Sequence, residues 1–196
     1  EEIERVLGLP VLGVVHRVGA RGTSKAFMAK AGTDERFVLR LEGGGPWVPE
    51  VEDFRTLRTN LRFARTDGEN RTILVTSTAP EEGKTTIASN LAVVMAQAGE
   101  RVLLVDADLR RPAVHLALDL PNGRGLTNLL VEAGTPADAI QATAAPTLFV
   151  LSAGAFAPNP PDILESARMR ELLASWRTRF DRVVIDSPPQ TSVVDP

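Results

Sequence analysis

The chain has 196 residues, 43% of them apolar and 24% charged, with a net charge of -3 and no cysteine. That size and balance suit one α/β domain with flanking segments; they exclude disulfides and thiolate metal sites and argue against general nucleic-acid binding. No apolar run approaches the ~20 residues a membrane-spanning helix needs, no signal peptide is visible at Glu1, and the sequence contains no tyrosine.

Residues 1–16 read as a short helix followed by a strand. Ile3, Val6 and Leu7 recur at helical spacing, Gly8 and Pro10 end the helix, and Val11–Val15 is β-branched and apolar. Residues 17–48 show no sustained period and carry six glycines, so they read as a flexible linker, with one short extended patch at Arg36–Leu41 and Trp47 as a packing residue. A helix is predicted from Pro49 to Arg65, with Glu50, Glu52 and Asp53 in the first turn, where the helix dipole favours negative charge. Phe54, Leu57, Leu61 and Ala64 form its apolar face; Arg55, Arg58, Arg62 and Arg65 form a basic stripe beside it.

Strands and helices then alternate. Strands are predicted at Arg71–Thr76, Arg101–Asp106, Thr147–Leu151 and Asp181–Asp186, and helices at Lys84–Ala98, Leu126–Ala133, Pro136–Thr143 and Ile163–Phe180. The strands are continuous apolar runs, which predicts burial on both faces of a parallel sheet covered by helices. Trp176 falls on an apolar helix face, and His16 and His115 have no catalytic partners in the pattern, so all three read as ordinary structural residues.

Three segments carry chemistry, and all follow strands, so they converge at the carboxyl edge of the sheet. The first is Ser77-Thr78-Ala79-Pro80-Glu81-Glu82-Gly83-Lys84-Thr85-Thr86, between a strand and a helix. Its backbone N–H groups around Glu82–Thr85, with Gly83 allowing close approach, would wrap a phosphate, and residues Thr78 to Thr86 would line the nucleotide. Lys84 would neutralise the β- and γ-phosphates, and the Thr85 hydroxyl would ligate magnesium. Thr78 stands where the general pattern has its first glycine. The plain alternative is a polar strand-to-helix turn with a capping threonine. The second segment ends the Val102–Val105 strand in Asp106 and Asp108, two carboxylates whose repulsion a nearby magnesium would offset. Its plain alternative is a loop in which Asp108 caps a turn and Arg110 pairs with it. In the third, Asp186 ends the buried strand Val183–Ile185, an arrangement that holds magnesium opposite the P-loop threonine.

Together these segments resemble the Walker A, A′ and B motifs of bacterial tyrosine kinases: Ala79–Thr85, Leu103–Arg110 and Val184–Pro189. Glu52–Asn60 is similar to the family's E-x-x-R-x-x-R-T-N helix. Leu151–Gly154 with Pro158-Asn159-Pro160 resembles its loop before the helix leading to Walker B, and Leu7–Val14 resembles its stretch after a membrane helix. The resemblance implies an α/β P-loop NTPase, a doubly wound, mostly parallel sheet of the MinD/ParA-like type. It divides the chain into a juxtamembrane-like segment 1–16, the linker 17–48 and a P-loop kinase domain 49–196. Because the family's sheet continues after the third motif, the domain reads as truncated after its Walker B strand.

The resemblance further implies ATP and Mg2+ as cofactors. Lys84 and Asp106 would be catalytic, the latter as base toward a tyrosine hydroxyl. Thr85, Asp106, Asp108 and Asp186 would surround the metal, and Glu52, Arg55 and Arg58 would contact the next subunit of a ring. The expected activity is tyrosine autophosphorylation on the tail of a neighbouring subunit. It would regulate capsular or extracellular polysaccharide export at the cytoplasmic face of the inner membrane, with an upstream membrane adaptor and an opposing tyrosine phosphatase. The acceptor tyrosines would lie elsewhere, since this sequence has none. Two other readings compete: a MinD/ParA-type ATPase switch, whose extra lysine would fall where Ala79 stands, and a non-catalytic ATP-binding scaffold.

Overall fold

A computed structural model of the chain describes residues 2–16, 49–64, 71–132 and 135–190. The predicted linker 17–48, with Arg36–Leu41 and Trp47, and also Arg65, Ala133 and Gly134, lie outside the described residues. Five strands form one sheet in the order β1 (Thr72–Val75), β5 (Arg182–Asp186), β2 (Val102–Asp106), β4 (Leu148–Leu151), β3 (Ile140–Ala142). The first four are parallel, and β3 joins β4 antiparallel.

Each central strand feeds two cores because successive side chains point to opposite faces. Val102, Leu104, Val150 and Val184 pack with α2 (Pro49–Phe63), α3 (Lys84–Gln97) and α4 (Val114–Leu118). Leu103, Val105, Leu151, Val183 and Ile185 pack on the other side with α5 (Leu126–Val131), α6 (Pro160–Leu164) and α7 (Ala167–Arg179). This is the doubly wound α/β arrangement. Trp176 is completely buried in the second core, as a packing residue should be. The expectation of burial on both faces fails for β1, where Leu74 is 62% exposed while Ile73 and Val75 pack inward. Among the described residues β1 pairs only with β5, and no β1 residue joins the apolar core under α5–α7, although Arg177 of α7 donates to Thr72 Oγ1 at 3.0 Å.

Several predicted boundaries shift. Pro136–Thr143 is not a helix: Pro136–Asp138 makes one 3-10 turn, and Ile140–Ala142 is the edge strand β3. The predicted helix over Ile163–Phe180 is two helices, broken where Ser166 takes an extended conformation and caps α7 by accepting from the Met169 amide at 3.2 Å. α2 ends at Phe63, so Ala64 lies beyond it and is exposed rather than on the apolar face.

The N-terminal segment begins with α1 (Glu2–Leu7), which ends at Gly8 with φ 65°. Val11–Val15, predicted as a strand, is not one; it joins no sheet and is held by side chains instead. Glu4 accepts from the Val11 amide at 3.1 Å, and Asn60 of α2 donates to the Leu12 carbonyl at 2.7 Å. The segment thus lies along α2, with Gly13 beside Leu57 and Val15 against the first core.

Candidate functional site

The carboxyl edge of β1 runs into the loop 76–83, and its base is tied down from behind. Ser187 donates its amide and hydroxyl to the Val75 carbonyl at 3.1 and 3.0 Å, and the Gln190 amide donates to the Ser77 carbonyl at 2.9 Å. At the far end Gly83 takes φ 86°, a left-handed conformation that suits glycine, and α3 starts at Lys84. No side chain caps the first turn of α3 and no acidic residue lies in it. Its amides and the positive end of a 14-residue helix are therefore available to an anion.

Within the loop, the Glu82 carboxylate accepts from the Thr78 amide at 3.0 Å, the Ala79 amide at 3.2 Å and the Thr78 hydroxyl at 3.0 Å. The Ala79 amide first, then the Thr78 hydroxyl, hold this exposed carboxyl below its ordinary range, and the nearby Lys84 charge adds to the effect. Glu81 stands at φ 63°, left-handed despite its Cβ. The amides of Thr78 and Ala79, two residues expected to line the nucleotide, are taken by Glu82. The four-residue spacing of Thr78 and Glu82 was the available signal.

The two strand-end aspartates meet. β2 and β5 are adjacent, and their register sets Asp106 directly opposite Asp186. Both are fully buried. The Thr85 hydroxyl, one residue into α3, donates to Asp186 Oδ2 at 2.6 Å across 101 residues of sequence. The structure thus joins the first of the three motif segments to the third directly. Asp106 Oδ2 accepts from the amides of Ala113 and Val114, each at 3.0 Å, while Asp106 Oδ1 is buried without a hydrogen-bond partner. Burial first, then the Asp186 charge and more weakly that of Asp108, raise the Asp106 carboxyl to about 7 from 3.8. Asp108 lies close by, yet its carboxylate accepts from the Arg111 amide at 3.0 Å, the turn-capping role of the plain alternative.

These residues fit a nucleotide-bound magnesium. Among the described residues no three carboxylates or histidines close into a full protein cage. Magnesium does not require one: it commonly takes one or two carboxylates, with phosphate oxygens and water completing the octahedron. A buried carboxylate oxygen without a hydrogen-bond partner, beside a second buried carboxylate, is a donor set that suits a cation.

The predicted interface residues divide. Glu52 and Arg55 are exposed and pair with each other at 2.6 Å. Arg58 turns inward and donates from Nη1 to the Val94 carbonyl at 3.2 Å, in the last turn of α3. His16, read as an ordinary residue, has a specific partner: its amide donates to Asp53 Oδ2 at 3.0 Å and its Nδ1 lies 2.8 Å from the same oxygen. Nothing in the local sequence pattern links these two residues, which are 37 positions apart.

A family model described as "AAA domain" matches residues 70–195. The tyrosine-protein kinase YwqD of Bacillus subtilis (strain 168) is 45% identical over 144 residues, which are 74% of this chain and 61% of that protein. The chain therefore spans less than two thirds of that relative. The solved kinase domain of Escherichia coli tyrosine kinase ETK superposes with a TM-score of 0.78 at 31% identity, covering 96% of this chain and 72% of that one. The septum site-determining protein MinD of Pyrococcus horikoshii OT3, solved with Mg-ADP, is more distant: TM-score 0.53, 28% identity, 61% of this chain and 49% of that one.

Proposed function

The chain belongs to the bacterial tyrosine-kinase family, and from that premise we propose that it binds Mg-ATP and phosphorylates tyrosines on a neighbouring subunit. The contact between Thr85 and Asp186, beside the unpartnered oxygen of Asp106, carries this reading. That contact supports a metal-binding role for the pair, with a second buried carboxylate beside them at the sheet edge.

Bound Mg-ATP would supply the transferable phosphoryl group. The chain's own residues then have separable tasks. The uncapped first turn of α3 and Lys84 bind and neutralise phosphate oxygens. Thr85 and Asp186 hold the metal, with Asp108 adding negative charge nearby. Asp106 would act as the base toward the tyrosine hydroxyl, with the Ala113 and Val114 amides fixing its carboxylate through Oδ2. A carboxyl raised toward 7 is a stronger base than an ordinary aspartate, although a bound cation would favour its charged form.

The acceptor tyrosines are assigned to a neighbouring subunit as the family resemblance implies; these 196 residues contain none. Ring assembly through Glu52 and Arg55, an upstream membrane adaptor and an opposing tyrosine phosphatase belong to the same proposal. So do the cytoplasmic face of the inner membrane and control of capsular or extracellular polysaccharide export. No helix among the described residues is long and apolar enough to cross a membrane. The MinD/ParA-type ATPase reading is weaker, since the similarity is distant and Ala79 replaces the extra lysine.

Calorimetry with ATP and magnesium on the wild type and Lys84→Met tests the site. The wild type should bind, and the variant should bind at least roughly tenfold more weakly, as expected for losing a charge-assisted contact to phosphate. A folded wild type that binds no nucleotide would refute the reading. Binding without transfer to an added tyrosine-rich peptide would favour the scaffold alternative.

A further inference from the structure

We propose that Glu82 is a positioning residue, an internal anion that braces the phosphate loop in its nucleotide-ready shape before nucleotide arrives. The inference rests on the reading of this loop as a nucleotide site and adds a device to it.

The loop needs such a device. An empty phosphate loop is a run of amides with no partner but water, and its ordering entropy then counts against binding. This one also holds Glu81 in the left-handed region at φ 63°, a conformation disfavoured for a residue with a Cβ. The neighbouring contacts must therefore impose the shape. The Glu82 carboxylate supplies three of them, to the Thr78 amide, the Ala79 amide and the Thr78 hydroxyl. Thr78, occupying the glycine position of the general pattern, provides the hydroxyl that a glycine would lack.

The geometry separates brace from ligand. The amides that Glu82 takes lie on the incoming limb, just after β1. The uncapped amides at the start of α3 lie on the outgoing limb and remain open to phosphate. Glu82 therefore closes the loop's first turn without occupying the second. Fully exposed, its carboxylate gains nothing from burial, and its lowered proton affinity reflects the donors around it.

The test compares wild type, Glu82→Ala, Glu82→Gln and Thr78→Val, with the Thr78→Val/Glu82→Ala double variant. Two quantities are read: amide hydrogen exchange at Thr78 and Ala79 in nucleotide-free protein, and the Kd for Mg-ATP. Faster exchange at both amides in Glu82→Ala, unchanged exchange in β2 and β5, and a Kd raised roughly tenfold are expected. Glu82→Gln, which keeps an accepting carbonyl, should lie between, and the double variant should be no worse than the poorer single. Unchanged exchange at the two amides overturns the proposal. So does a Glu82→Ala variant that binds Mg-ATP as tightly as wild type or more tightly, since the carboxylate would then be a bystander or a competitor. If wild type itself binds no nucleotide, the proposed function fails, and the exchange comparison still decides the brace.

Discussion

Asp106 carries the sharpest conflict in the molecule. A carboxyl group with one oxygen unpartnered and a second aspartate opposite it is worse off charged than in water. Its folded value of about 7 lies above the ordinary 3.8. Below the lower value both folded and unfolded chains hold the proton, so there is no penalty. Between the two the unfolded chain releases its proton while the folded chain keeps it, and stability falls as pH rises, levelling off above about 7. Asp106→Asn in metal-free protein should therefore be more stable than wild type at pH ~8, by on the order of a few kcal/mol. The advantage should vanish toward pH ~3, below the window. Urea titrations in a chelator at both pH values would check it, and a variant less stable at the higher pH would contradict the assignment. The position of Asp106 is legible in the sequence, as a carboxylate ending a continuous apolar strand. Its partner across the sheet and its orphaned oxygen are not, because 80 residues separate it from Asp186 and only strand order makes them neighbours.

At the scale of elements, α2 is two things at once. Its exposed side shows the Glu52–Arg55 pair, and its inner side is bound to α3 through Phe54, Leu57 and the Arg58 guanidinium. Arg58 reaches the carboxyl end of α3, where the dipole favours a cation. The two arginines of the motif should therefore behave differently. Arg55→Ala should leave the melting temperature nearly unchanged, since exposed ion pairs contribute ~0–1 kcal/mol. Arg58→Ala should lower stability by about 1–3 kcal/mol, through a lost charge-assisted hydrogen bond and lost packing. Thermal melts and sedimentation of both variants distinguish interface from anchor: only a shift in particle size without a shift in melting marks an interface residue. Helical periodicity made α2 legible, but periodicity cannot say whether an arginine on the margin of a stripe faces solvent or folds back. The same blindness made β3 look helical. Pro136–Thr143 has no decisive period of its own, and the strand forms because Ile140–Ala142 finds the free edge of β4. Gln141 then secures it by donating to the Pro121 carbonyl and to Ser152 Oγ at 3.0 and 3.1 Å.

Across the whole molecule, one sheet divides two cores, and adjacent residues of β2 serve different ones. Leu103 packs with Trp176, Leu172 and Met169 in the second, and Leu104 lies with Leu91, Val94 and Met95 in the first. Neither core has a sheet of its own, so neither can unfold while the other stays intact. Leu103→Ala and Leu104→Ala should each cost about 2–5 kcal/mol, as buried leucines usually do. Each should move a single transition that is coincident by near-UV and far-UV circular dichroism. A variant that splits the transition would show the layers to be independent.

The sequence by itself determined the class of this protein. Apolar runs too continuous for a one-sided sheet demanded helices on both faces. Three motifs at strand ends demanded a common edge, and the run Gly83, Lys84 and Thr85 between a strand and a helix pointed to a phosphate loop. These are local patterns, set by the period of a helix, the pleat of a strand and the reach of a backbone amide. Only the tertiary structure decided which groups meet: Thr85 with Asp186, Asp106 against Asp186, Arg58 with the end of α3, His16 with Asp53. Each of these pairs is at least 36 residues apart in the chain. What joins them is the order of strands in the sheet and the docking of helices on it, which depend on the free energy of burying both faces together rather than on any local stretch.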